Sequence, residues 1–517
     1  MKKIQLILTL LLFSNLVQAN NLNISAPTYS NETLSFTITW DNSWNINSGP
    51  SNHDAVWIFV KRQKCGNINN RWVHQLLSTS TNDHSAKVSG VTSTIVSVIP
   101  VEDGMGVFIK RLPDASSSNP PNAVGNVTTQ TITLKLGATN PNILPTGNDT
   151  QDNFKVIGIE MVYIPQGEFF IGDGRATNSN NFSAGTTNQP LKITNNIQNV
   201  TGLGSLTNYT SAPAYGCPVP LPKDFPLGYN GYYMMKYELL QGQFVEYLNT
   251  LNYDQQALRL KPTDNTKNPN SAPTVYFANG QGTNVYIPTT TPSSSGIYNT
   301  KAATFATGYA WLPMGYMNWQ DLAAYLDWSG LRPMTEFEFE KACRGNNGGT
   351  ANTPIANEYP WGNTSISNPS HSFNNNHTWT ANEGTCNYQT NNIIRAGAWA
   401  TSTSNRSQSG ATYYGIMEMG GNVWEQCVGG GSGYDYSGFR TTNGNGVLSD
   451  LGLADVTGWP INGGPNSGTI MRGGFFYNNG STYQIQVSDR TFFAGDNWNN
   501  NSDRDAGAGG RGVRSFN

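Results

Sequence analysis

Charged side chains are scarce in this 517-residue chain: Asp, Glu, Lys and Arg make up 12% of it, against about 25% in an ordinary soluble domain. The formal net charge is -3, the pI lies near 6.0, and no basic run is present. The electrostatic footprint that phosphate-backbone binding requires is missing, so no nucleic acid partner is expected. Long apolar runs are missing too. No segment past the amino terminus supplies the about 20 apolar residues of a membrane-spanning helix, so no membrane span is expected. The five cysteines, Cys65, Cys217, Cys343, Cys386 and Cys427, show no Cys-x-x-Cys spacing, which removes the usual zinc and dithiol patterns. Their odd number leaves at least one thiol unpaired, and structural or buried roles are expected. The histidines, His53, His74, His84, His371 and His377, are too scattered for a metal triad.

Asparagine and glycine fill the gap. The 55 Gly and 64 Asn form nearly a quarter of the chain, and both favour turns and polar loops over element interiors. A long helical bundle is excluded. Hydrophobic residues at 37%, with 13 Trp, 24 Tyr and 21 Phe, still suffice for a core, because each aromatic buries a large area. At roughly 100 to 200 residues per domain, two or three domains are expected.

The chain opens with Lys2-Lys3, an apolar run from Ile4 to Phe13, and Val17-Gln18-Ala19. This is the pattern of a secretory signal peptide over residues 1–19, and the run is too short for a membrane anchor. No Cys follows the cleavage point, so lipid anchoring is not indicated. The expected location is secreted, periplasmic or cell-surface.

From residue 20 to 140 the pattern has period two. Candidate strands are Leu34 to Trp40, Ala55 to Lys61, Arg71 to Leu77, Thr94 to Pro100, Gly106 to Lys110 and Thr129 to Leu136. Turn residues separate them, as in an antiparallel, Ig-like β-sandwich. Residues 141–155 read as a linker. Beyond it, long polar loops surround a few dense segments, and two of these are helical: Glu238 to Leu251, and Trp319 to Trp328. A further helix starts after Pro333, where Thr335 and Glu338 form a capping box, and ends near Gly345. Glu338 is therefore assigned a structural use, at the positive end of the helix dipole.

Five segments then occur in a recognisable order: Met161 to Gly172, Leu331 to Gly345, Tyr359-Pro360-Trp361-Gly362-Asn363, Gly415 to Glu425, and Arg472-Gly473-Gly474. Together they resemble the formylglycine-generating enzymes, or sulfatase-modifying factors, over about residues 156 to 517. The resemblance implies an α+β protein: the amino-terminal sandwich followed by a C-type-lectin-like domain with little regular secondary structure. In that family two cysteines shortly after Arg-Gly-Gly bind copper and activate oxygen. Here nothing from Met471 to Asn517 is Cys, and a serine hydroxyl is neither ionised nor soft enough to replace a thiolate. Relatives that bind iron do so through a helical amino-terminal domain, where this chain reads as β. Neither copper nor iron is expected.

The family's calcium site corresponds here to the side chains of Glu418 and Glu425 and the carbonyls of Gly421 and Val423. Hard oxygen donors with two carboxylates suit Ca²⁺, so a structural calcium is expected; a tight turn with two solvated glutamates is the alternative. A second family calcium site needs an Asp that is not found, although Asn382 matches one ligand. After Arg472 the segment holds aromatics, Arg, Asn, Ser and Gly but no Lys, Glu, Met, Leu, Pro or Cys. Such compositions build adaptable binding surfaces. Phe476, Tyr477, Tyr483, Arg490, Phe492, Trp498 and Arg504 are the candidate ligand-binding residues, for a protein or glycan.

The same segment resembles the variable region of retroelement-diversified proteins, whose adenine changes in an AAC codon yield most of these residue types. Gln484, Gln486 and Trp498 would be fixed positions. The plainer alternative is a loop set closing the core, with Arg490 and Arg514 as buried structural arginines. The sequence thus points to an exported, non-catalytic, sulfatase-modifying-factor-like binding protein. A formylglycine-type oxidase and a structural surface component are the competing classes.

Overall fold

A computed structural model describes residues 21–64, 72–88, 94–113, 123–137, 152–174, 181–182, 189–195, 199–200, 221–222, 224–259, 275–276, 284–285, 305–347, 350–369, 382–390, 392–401, 403–429, 438–463, 468–477, 482–490, 504 and 506–515. The signal-peptide segment, Cys65, Cys217, Phe492 and Trp498 lie outside the described residues.

The alternating sequences form strands where expected. Thr33–Asn45 points Leu34, Phe36, Ile38 and Trp40 inward on every second residue. It pairs with Ala123–Lys135 and carries Asn23–Ile24 and Thr28–Ser30 on its other edge; Ser85–Val88 completes a five-stranded antiparallel sheet. The register of the long pair shifts twice around Trp40. Asp54 holds this irregular stretch: its carboxylate accepts from Trp40 Nε1 at 3.1 Å, Ser43 Oγ at 2.7 Å and the Trp44 amide at 2.9 Å.

Asp54–Gln63 is buried on both faces because it lies inside the second, eight-stranded sheet. Val56, Ile58 and Val60 share a core with the five-stranded sheet. Ala55, Trp57 and Phe59 point the other way, into the largest core, which contains Phe244, Trp319, Tyr325 and Trp328. Continuous apolar character is what a strand covered on both sides shows.

The stretch 141–155, expected as a linker, contains the start of a strand. Strand Asn153–Ile164 begins inside that stretch and pairs antiparallel with Asp54–Gln63 through ten residue pairs, from Asn153 opposite Gln63 to Val162 opposite Asp54. Its other edge pairs with Tyr232–Met235, which pairs in turn with Gly512–Ser515. One antiparallel sheet therefore runs from the amino-terminal strands to the carboxyl-terminal one. Trp57 Nε1 donates to the Ser329 carbonyl at 2.8 Å, and the buried Lys61 ammonium donates to the Trp328 carbonyl at 2.6 Å. Arg514 forms an ion pair with Asp103 at 2.6 Å.

Helices are few. Trp319–Trp328 matches its expected limits, with Asn318 as cap. Glu336–Arg344 starts at the expected capping box: Thr335 Oγ1 accepts from the Glu338 amide at 3.2 Å, and Glu338 returns the bond to the Thr335 amide at 3.0 Å. Gly345 ends it at φ 76°, where an added Cβ would lie 2.0 Å from the Tyr413 ring. The helix expected from Glu238 begins only at Gln241, since Glu238 lies in a bend ahead of the Leu240 cap, and its carboxylate goes to the Asn422–Val423 loop. Mixed α and β structure dominated by antiparallel strands is thus the observed class.

Candidate functional site

The Gly415–Glu425 segment folds into a tight turn that leads into strand Trp424–Val428. Glu418 and Asn422 both adopt left-handed backbone, at φ 53° and 63°, a costly conformation for residues with a Cβ. Gly421 must be glycine: its φ is 77°, and a Cβ would meet the Asn387 carbonyl at 2.4 Å. The Asn422 side chain locks the turn, accepting from the Ile394 amide at 3.0 Å and donating to Glu238 at 2.8 Å. Glu238 also accepts from the Val423 amide at 3.0 Å.

Glu238, Glu418 and Glu425 are all buried here. Glu425 is fully covered, and its two oxygens each accept a 2.7 Å bond from Arg511, which also caps the Met417 carbonyl at 2.9 Å. Glu418 is held differently. One oxygen accepts from the Gly397 amide at 2.7 Å; the other is buried with no hydrogen-bond partner among the described residues. Burial pushes the Glu418 carboxyl up to about 7, against the pull of the Gly397 amide and Arg511. Burial likewise raises Glu238 well above the usual carboxylate range, with Arg511 opposing and Glu425 reinforcing. Three carboxylates thus surround one directly bonded guanidinium. The four expected calcium residues are adjacent on one turn; among the described residues no cluster of three His, Cys, Asp or Glu side chains suited to a metal ion is present.

The carboxyl-terminal face divides the expected ligand-binding residues. Tyr477 and Tyr483 are 48% and 44% exposed. Phe476 is instead buried in a cluster with Leu312, Ile393 and Val423, because its amide and side chain close against the Asn422 loop; the amide donates to the Asn422 carbonyl at 2.9 Å. Arg490 is also buried, donating to Glu336 at 2.7 and 2.6 Å over the Phe182 ring. Its guanidinium is engaged with this buried carboxylate. Arg504 is tied to Asp321 by two bonds of 2.5 and 2.9 Å. Half-buried Phe475 stacks on Trp424 with centroids 5.8 Å apart, beside Tyr477.

Cys343, Cys386 and Cys427 are buried free thiols. Burial raises all three above the usual thiol range, which suppresses the thiolate that reactive cysteines need. Sequence reasoning missed Glu238 and Arg511. Glu238 follows the apolar Tyr232–Met235 strand, and a carboxylate in such a setting needs a partner, which is the signal that was legible.

Residues 151–515 match the family described as the sulfatase-modifying factor enzyme 1-like domain. A 116-residue stretch is 31% identical to the formylglycine-generating enzyme of Thermomonospora curvata, covering 22% of this chain and 33% of that protein. The chain therefore spans about a third of the length of this curated relative. No helix among the described residues is long and apolar enough to cross a membrane. With the family match running over residues 151–515, well beyond half of its length, the chain belongs to the sulfatase-modifying-factor family.

Proposed function

We propose that this protein is an exported, non-catalytic member of its family that binds a protein or glycan through the carboxyl-terminal face. The observation that carries the reading is the surface after Arg472-Gly473-Gly474. It presents Tyr477 and Tyr483 to solvent, and no cysteine follows Cys427 in the sequence. Amphipathic rings beside small polar residues are effective contact groups. The amino-terminal strands are read as a sandwich, and the remainder as a lectin-like support for this face. Gln484 and Gln486, which adenine mutagenesis of Asn codons cannot reach, are buried, while Tyr483 just before them is exposed; buried fixed positions behind an exposed one agree with a diversified surface on a fixed frame.

Purified protein supplied with copper is expected to leave a sulfatase-type cysteine peptide unoxidised. On glycan and protein arrays the Tyr477→Ala/Tyr483→Ala double variant is expected to lose the hits of the natural protein with an unchanged melting temperature. Formylglycine production, or identical array profiles for the two proteins, would overturn the reading.

We also propose a structural Ca²⁺ at the Gly415–Glu425 turn. The partnerless Glu418 oxygen fits such an ion, since buried carboxylate oxygens are otherwise bonded. The carbonyls of Gly421 and Val423 and the remaining lone pairs of Glu425, already shared with Arg511, would complete the set. Chelator is expected to lower the melting temperature by several degrees, and to do so less for Glu418→Gln. An unchanged melt of the natural protein in chelator would remove calcium.

A further inference from the structure

Near the carboxyl end of strand Asn153–Ile164 a cleft of about 650 Å³ opens, lined by Tyr163, the 224–231 loop, residues 194–195 and Thr441. Its charged lining is already engaged. Arg332 and Glu338 bond each other at 2.6 and 2.9 Å, Arg332 Nε donates to Ser515 Oγ at 2.8 Å, and Asp224 pairs with Arg440 at 2.6 Å. An ionic guest would therefore give up hydration here without gaining a counter-ion.

The neutral groups are in the opposite state. Gln166, Asn195 and Asn230 line the cleft and are exposed, and none of the three uses its side chain in a hydrogen bond among the described residues. Tyr229, half-buried in the same lining, has no ring partner there. The backbone that carries these groups is pinned. The buried Lys341 ammonium donates to the Gly228 and Tyr229 carbonyls at 2.6 and 3.1 Å, the Gly167 amide donates to the Tyr229 carbonyl at 2.9 Å, and Thr335 Oγ1 donates to the Pro226 carbonyl at 2.8 Å. Tyr163 is fixed as well: its ring stacks on His53 with centroids 5.0 Å apart, and its hydroxyl lies 2.6 Å from where a Cβ on Gly231 would stand. A frame ordered before the ligand arrives lowers the cost of binding.

We propose that this cleft binds a neutral oligosaccharide, with sugar hydroxyls bonded to the Gln166, Asn195 and Asn230 carboxamides and an apolar ring face laid on Tyr229. A carboxamide both donates and accepts, as a sugar hydroxyl does, and the tyrosine ring supplies apolar area beside a polar tip. A wholly apolar guest would cover those amides without partners, and a charged one finds every lining charge paired. The volume is that of an ordinary small-ligand site. Tyr477 and Tyr483 do not line the cleft, so this site goes beyond the carboxyl-terminal face.

Calorimetric titration of the full chain with maltotriose, cellotriose, tri-N-acetylchitotriose and the acidic trigalacturonate tests the proposal. Saturable binding of at least one neutral trisaccharide is expected, indifferent to added salt because no ion pair forms, with none for trigalacturonate. Asn195→Ala/Asn230→Ala is expected to weaken it by about tenfold or more, as loss of two hydrogen bonds implies. The melting temperature of that variant is expected to stay unchanged, since both side chains are exposed. Tyr229→Ala is expected to weaken binding to a similar degree, while Tyr477→Ala/Tyr483→Ala binds normally, which separates this site from the face. No saturable binding of any neutral trisaccharide at millimolar concentration, equal binding of trigalacturonate, unaltered binding by the asparagine double variant, or loss of binding in the tyrosine double variant would each overturn it.

Discussion

Glu336→Gln is expected to destabilise the fold by about 3 to 5 kcal/mol, the cost of breaking a buried charge pair by removing one partner. Glu336 accepts from Arg472 at 2.9 Å and from Arg490 at 2.7 and 2.6 Å. Glu340 bonds Arg472 at 2.7 Å and Arg344 at 2.9 Å, and Glu358 bonds Arg344 as well. Three carboxylates and three guanidiniums are thus balanced in a space where no member exceeds 4% exposure. Gln fills the same volume but carries no charge, leaving two arginines short of their counter-ion. A melting temperature lowered by several degrees, with secondary structure retained, is the expected reading. Glu32→Gln at the exposed pair with Lys135 is the control and is expected to leave it unchanged, as surface pairs contribute little. If both variants melt alike, the network has no special weight.

The same network fixes a pH dependence. Burial by itself would raise the Glu340 carboxyl, but the Arg472 and Arg344 guanidiniums outweigh it and hold the group below its ordinary value of 4.5. A carboxylate with a depressed folded value contributes stability above its unfolded value and loses it as pH falls through the folded one. The contribution is therefore complete at neutral pH and declines below about 4.5. Melting temperature measured in steps from pH 6 to 3 is expected to fall more steeply for the natural protein than for Glu340→Gln, which has nothing left to titrate there.

Local signals were legible in the sequence wherever local physics decided the outcome. The period-two pattern of Leu34 to Trp40 and the Thr335–Glu338 capping box are properties of neighbouring residues, and both recur in the structure. Partners distant in sequence were not legible. Arg490 has the same composition signature as a surface arginine; only its approach to Glu336, 154 positions away, makes it structural. The burial of Phe476 was not legible for the same reason, since its covering residues Leu312 and Ile393 come from other loops. At the turn, the motif identified Glu418 and Glu425, but Glu238 and Arg511 enter through sheet pairing and are 273 positions apart in the chain.

Removing the amino-terminal strands is expected to have the largest effect of all: a chain of residues 151–517 should fail to give soluble, cooperatively melting protein. The family match begins at residue 151, which invites that truncation, yet the sheet does not end there. Strand Asn153–Ile164 would lose its ten-residue partner Asp54–Gln63 and become a long unpaired edge, the geometry that templates aggregation. Trp57, Phe59 and Phe108 would leave the largest core, uncovering Ile157, Ile159 and Met161. Lys61, Trp57 and Asp103 would also withdraw their bonds to Trp328, Ser329 and Arg514. A milder probe asks the same question within the full chain. Trp57 is fully buried, and Trp57→Ala removes about 3 to 5 kcal/mol by transfer and cavity costs. If the strands before residue 152 formed a separate domain, that loss would shift one of two melting transitions. A single transition, displaced as a whole, is the expected result, because Trp57 packs in the same core as Phe244 and Trp319. Two resolved transitions, or a truncated chain that melts within a few degrees of the full one, would show that the folding unit begins where the family match does.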